Sequence, residues 1–173
     1  MGSFELGRLV VAALLTGVLA WASFTDIRDR RIRNVTVLAV LGLFGPWALM
    51  MHSGLDVLLA LGAGVVALAV GIALYAVGWM GAGDAKLIGA AALFVGWHHL
   101  IELMVMTTLV GGLIALFSLI SQPKRTWAMI TRRDTGQSSR GVPYGVAIAA
   151  ATLILTWSSL LHMALPLTGA VKP

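Results

Sequence analysis

Six apolar stretches take up most of this 173-residue chain, and they constrain its fold more than any other feature. A helix rising about 1.5 Å per residue needs about 20 mostly apolar residues to cross a bilayer. Leu6–Phe24 (broken only by Arg8), Val57–Val77 and Ile101–Ile120 come close to that length, and Val35–Met51 is somewhat shorter. Val142–His162 carries Pro143 in its first turn, where a missing N–H costs little. An interruption at Gly81–Lys86 precedes a shorter run, Leu87–Trp97. The expectation is an all-α, polytopic membrane protein with six transmembrane helices, a single membrane-embedded domain over residues 1–173. Composition agrees: 59% of residues are apolar, 11% are charged, and the mean hydropathy is +0.94. Soluble domains average about 25% charged residues, and so few charges could not cover a soluble surface. A disordered chain would be poor in apolar residues and rich in charge, the reverse of what is seen.

Lysines and arginines set the orientation, because they collect in cytoplasmic loops. With the N-terminus outside, the loops at 25–34, 78–86 and 121–141 face the cytoplasm and hold ten of the twelve basic residues, leaving Arg8 and Lys172 outside. The stretch Ala20-Trp21-Ala22 imitates a signal-peptidase site, but Glu5 and a single arginine make a poor signal-peptide n-region, and the first segment reads as an uncleaved helix. Trp21 and Trp79 fall near inner ends, and Trp47, Trp97 and Trp157 near outer ends, as in an interfacial belt. The segment 121–141 reads as a polar cytoplasmic connector. The net charge of +5 is explained by basic loops facing anionic lipid, so lipids rather than nucleic acid are the expected partner. With no cysteine, disulfides, thiolate zinc sites and thiol nucleophiles are excluded.

Only seven acidic residues occur. Glu5, Asp56 and Glu102 fall at outer ends, and Asp134 lies in the basic connector. Asp26 and Asp29 follow the first apolar run, and Asp84 lies in Gly81-Ala82-Gly83-Asp84-Ala85-Lys86, where the glycines permit a tight turn and a close approach. The topology brings Asp26 and Asp84 to the same face. From Asp84 to Trp97 a helix would span only roughly 21 Å against a core of about 30 Å, so either the bilayer thins locally or Asp84 begins its helix below the inner surface, inside the membrane boundary. A carboxylate in that position is a functional-site hypothesis. Two carboxylates held close share one proton, so one can take a proton from water while the other polarises a scissile carbonyl. That chemistry is aspartic peptide hydrolysis. The structural alternative pairs Asp26 with nearby arginines and Asp84 with Lys86.

At these residues the chain resembles the type IV prepilin leader peptidases, membrane aspartic proteases with a Gly-x-Gly-Asp motif. Gly81-Ala82-Gly83-Asp84, continued by Lys86-Leu87, matches that motif. Asp26-Ile27-Arg28-Asp29-Arg30-Arg31-Ile32-Arg33-Asn34 matches the family's basic stretch ending in Ile-Pro-Asn, with Arg33 where proline is usual. Val142-Pro143-Tyr144-Gly145-Val146-Ala147-Ile148-Ala149 resembles the opening of the family's last helix. The resemblance implies Asp26 and Asp84 as catalytic residues, with Gly81, Gly83, Lys86 and Asn34 as supporting motif positions. It also implies an active site at the cytoplasmic face, no cofactor and no metal. The expected location is the bacterial inner membrane, and the expected partners are prepilin or pseudopilin substrates, with the question of a homodimer left open. Larger family members carry a cysteine-rich insertion and also methylate the pilin, so the expectation here is cleavage without N-methylation. The small build resembles the branch serving tight-adherence (Flp-type) pili, whose substrates have a short basic leader, a glycine at the cut and an apolar helix. The small-residue stripe Ala63, Ala67 and Gly71 serves either helix packing or substrate docking.

Two other readings compete. A phosphotransferase would hold Mg²⁺ on Asp26, Asp29 and Asp84. A proton- or cation-coupled transporter would use membrane carboxylates near the midplane and show repeat symmetry between its halves. Asp29 is read as offsetting its neighbouring arginines. His52, His98, His99 and His162 are read as interfacial, not as metal ligands.

Overall fold

The structure, a computed structural model, describes residues 3–51, 53–121 and 144–164. Apart from Ser121, the polar connector at 121–141 lies outside the described residues, as do His52 and Pro143. Among the described residues six helices follow one another: α1 (Ser3–Asp29), α2 (Asn34–Leu49), α3 (Gly54–Ala76), α4 (Ala82–Val95), α5 (Leu100–Ser121) and α6 (Tyr144–Ala164). No strand occurs among the described residues. Among the described residues four segments are long and apolar enough to cross a membrane, namely Glu5–Asp29, Gly54–Ala76, Leu100–Phe117 and Tyr144–Leu161. The other two helices are shorter, with 16 residues in α2 and 14 in α4.

The shortest helix occupies the middle of the bundle. Helix α4 packs against α2, α3, α5 and α6, and every residue from Leu87 to Phe94 is buried. A helix that is apolar on all sides belongs in an interior, and Gly89, Ala90, Ala91 and Ala92 keep it thin enough for four neighbours. Its tightest partner is α3. A Cβ on Gly71 would stand 2.9 Å from the Ala85 Cα, and one on Gly89 would stand 2.9 Å from the Leu68 Cβ. Ala63, Ala67 and Gly71 are all buried, so the small-residue stripe of α3 faces its own bundle and is covered.

Polar groups tie the helices at other levels. Arg8 donates to the Met50 carbonyl, which joins the start of α1 to the end of α2 and satisfies one of the carbonyls a helix terminus leaves open. The Trp157 indole N–H donates to the Thr16 hydroxyl at 3.1 Å, crossing from α6 to α1. Trp47 packs on Phe94 with ring centroids 5.6 Å apart and is buried. Trp47 and Trp157 are therefore internal ties, contrary to the belt expected from their position along the chain, because each finds a packing or hydrogen-bond partner on a neighbouring helix. Trp21, Trp79 and Trp97 are exposed, as a belt requires.

The first helix also runs further than its apolar stretch. Apolar character fades after Phe24, yet α1 continues to Asp29, so Asp26 and Asp29 lie in its last turns and not beyond it. Arg30 then takes a left-handed conformation (φ 52°), and its N–H still reaches the Asp26 carbonyl at 3.0 Å. This is the usual way of closing a helix, with arginine standing where glycine is preferred.

If the α3–α4 contact organises the bundle, Gly71→Val should lower the thermal stability of the purified protein by about 1–3 kcal/mol, since backbone must move to admit the side chain. Gly42→Ala, whose Cβ would meet nothing within 4 Å, should cause no loss. Thermal unfolding in detergent followed by circular dichroism compares the two.

Candidate active site

Asp26 is 5% exposed although it lies one turn from the end of α1. Its Oδ2 accepts the Gly145 N–H at 2.9 Å, and the Val146 N–H also donates to the carboxylate. Both donors belong to the first turn of α6, where backbone N–H groups lack intrahelical partners and the helix dipole favours a negative charge. One helix thus supplies the cap for another, across 119 residues of sequence.

Asp84 is 9% exposed and is the third residue of α4. Gly81 precedes the helix in extended conformation (φ −75°, ψ 149°), and the carboxylate turns back to accept the Gly81 N–H. An acid at the third helical position does this in a capping box. The other oxygen, Oδ1, is buried without a hydrogen-bond partner. Buried polar atoms are rarely left so, and here the bare oxygen belongs to a carboxylate within electrostatic range of Asp26. Two carboxylates from separate helices therefore come within electrostatic range of each other, beside the starts of α4 and α6.

Ile32 fits between those two N-termini. A Cβ on Gly83 would stand 3.0 Å from the Ile32 Cβ, and one on Gly145 would stand 2.8 Å from both the Ile32 Cδ1 and the Asp26 Oδ2. A Cβ on Gly81 would stand 2.8 Å from the Asp84 Oδ2. Gly81 and Gly145 are required by close approaches to the carboxylates, and Gly83 by its approach to Ile32. Beside them, Lys86 donates to the Asn34 side-chain carbonyl at 3.2 Å, joining α4 to the start of α2 at an exposed position. Arg33, in place of the proline usual in the resembling pattern, precedes α2 with φ −75°. Proline is restricted to about that value, so the departure leaves the backbone path unaltered.

Of the residues singled out from sequence, Asp26, Asp84, Gly81 and Gly83 come together, and Asn34 and Lys86 pair beside them. Asp29 is exposed at the end of α1, and no group of three acidic or histidine side chains among the described residues is placed to hold a metal ion. His99 instead contacts Glu102 at 3.0 Å, and both are exposed. Sequence reasoning missed Gly145 and Ile32 as site residues. The signals were present: a glycine opening a helix in Tyr144-Gly145, and one apolar residue set among arginines.

Comparison with known proteins adds the class. A family model of the type IV leader peptidases matches residues 13–116, more than half of the chain and including both carboxylates. The chain belongs to the type IV leader peptidase family, and its apolar helices make it a membrane protein. No curated protein and no solved structure matches it. The matched segment ends before α6, so the backbone donors to Asp26 come from outside it.

A methyl group at position 145 would collide with Asp26 and Ile32. Gly145→Ala should leave a folded protein whose peptidase activity falls by roughly 10²-fold, the scale of a displacement of about 1 Å in a catalytic group. Cleavage rate measured alongside unfolding temperature separates this from simple destabilisation.

Proposed function

We propose that this protein is a prepilin leader peptidase of the aspartic type, with Asp26 and Asp84 as its catalytic pair. The observation that carries the reading is that these two buried carboxylates, 58 positions apart in sequence, lie within electrostatic range of each other beside two helix N-termini. The family supports the peptidase activity and prepilin substrates in general. Asp26, accepting two backbone N–H bonds, is the member suited to remain a carboxylate and to take a proton from the attacking water. Asp84, with one oxygen unpartnered, is the member suited to carry the shared proton and present it to the scissile carbonyl. The water then adds to the carbonyl to give a gem-diol; as the C–N bond breaks, the proton Asp26 took from the water passes to the leaving amine, and the gem-diol returns the other proton to Asp84 as the new carboxyl group forms. This scheme requires no metal and no covalent intermediate.

The finer features follow the same reading. The basic segment from Arg28 to Arg33 adjoins the pair, and the positive-inside rule supports a site at the cytoplasmic face of the inner membrane, with the N-terminus outside. A substrate helix lying in the bilayer would then offer its leader to the site from the cytoplasm. The small, cysteine-free build fits cleavage of Flp-type prepilins without N-methylation.

The test is cleavage of a prepilin bearing glycine at the leader junction by the purified enzyme. Wild-type activity should persist in EDTA, and Asp26→Asn or Asp84→Asn should each reduce it by about 10²–10⁴-fold, the usual scale for a general acid or base. Cleavage that survives both substitutions in folded protein would refute the assignment. The pH profile should be bell-shaped, because the pair works only with a single proton: acid adds the second and alkali removes the first.

A further inference from the structure

We propose that the groove between α1 and α2 is a binding site for an anionic phospholipid, with Arg33 holding the headgroup phosphate. The groove has a volume of about 450 Å³ and is bounded by Gly17, Val18 and Trp21 of α1, by Val35, Thr36 and Ala39 of α2, and by Arg33 just before α2. That size is within the roughly 300–1,000 Å³ of ligand sites. Its walls are mostly apolar, with Thr36 the one uncharged polar side chain, and the small residues Gly17 and Ala39 leave the space open. Trp21 is 56% exposed and Val35 73%, so the groove faces outward from the bundle. The one charged group bordering it is a guanidinium, and among the described residues Arg33 has neither an ion pair nor a hydrogen-bonded side-chain partner.

An apolar channel with a cation at its mouth, on a helix pair built for the bilayer, is complementary to an acyl chain ending in a phosphate. Guanidinium matches phosphate oxygens through paired N–H donors, and tryptophan suits the headgroup level. The surroundings favour a negative ligand: Arg28, Arg30 and Arg31 are exposed on the same segment, with Asp29 as the one exposed acid among them. The charge distribution therefore selects an anion, and for a groove that faces outward from a bundle of membrane helices that anion is a lipid headgroup. Arg33 is also the residue at which this chain departs from the family pattern, and proline at that position would have no headgroup ligand to offer. The inference does not depend on the peptidase mechanism.

The experiment is native mass spectrometry of the purified protein released from vesicles of equimolar phosphatidylglycerol and phosphatidylethanolamine. Wild type should retain one phosphatidylglycerol in preference to phosphatidylethanolamine by about fivefold, the ratio corresponding to one basic residue near an anionic surface. Arg33→Gln and Arg33→Pro should abolish the preference; the proline variant suits the observed φ of −75°, which guards against misfolding. Arg31→Gln, outside the groove, should keep it. Inorganic phosphate in excess should not displace the lipid, since the apolar walls hold the chain. An unchanged preference in both Arg33 variants, or equal loss in Arg31→Gln, would overturn the proposal in favour of diffuse attraction. Stoichiometric displacement of the lipid by a prepilin peptide would overturn it in favour of a peptide groove.

Discussion

The hydrogen bond from the Gly145 N–H to Asp26 is the contact on which the rest of this arrangement depends. It solves two problems at once. A carboxylate buried in a bundle of apolar helices needs donors, and a helix beginning at the same level needs acceptors for its first N–H groups. Joining the two holds the last turns of α1 in helical form beyond the end of its apolar run. It also brings the end of α1 against the start of α6, and it leaves Asp26 facing the first turn of α4. Asp84 solves the same problem locally, by turning back on Gly81.

The central position of α4 follows from its length and its small residues. Too short to match a bilayer, it is surrounded by protein on several sides, and its glycines and alanines let α3 approach to backbone contact. A helix packed this closely does not shift easily, because interiors are near crystal density and transmit strain. Its first turn, with Gly81, Gly83 and Asp84, is thereby held against Ile32 and α6. The glycines of Gly-x-Gly-Asp serve geometry here: one makes room for the Asp84 carboxylate, the other for Ile32.

Much of this was legible before any coordinates. The apolar runs anticipated the order of the helices, and the scarcity of acids singled out Asp26 and Asp84. The Lys86–Asn34 pair was visible only as two motif positions, since nothing in a linear pattern says that they meet across 52 residues. Ile32 was hidden for a related reason. Set among arginines it reads as part of an exposed loop, and only the left-handed turn at Arg30 carries it back between two glycines. Trp47 shows the limit of reading an aromatic belt from position along the chain, because it is buried against Phe94, and the half-buried Trp157 is tied to Thr16 of another helix.

By itself the sequence determined that the chain is a bundle of membrane helices with two unusual carboxylates, because hydropathy and charge act locally and leave a mark at every position. Only the tertiary structure decided which N–H groups those carboxylates accept and what fills the space between them. It also decided which apolar faces stay open, as the groove beside Arg33 does and the stripe on α3 does not. Those outcomes depend on contacts between helices far apart in the chain, and the direction of a side chain is settled only when its neighbours are in place.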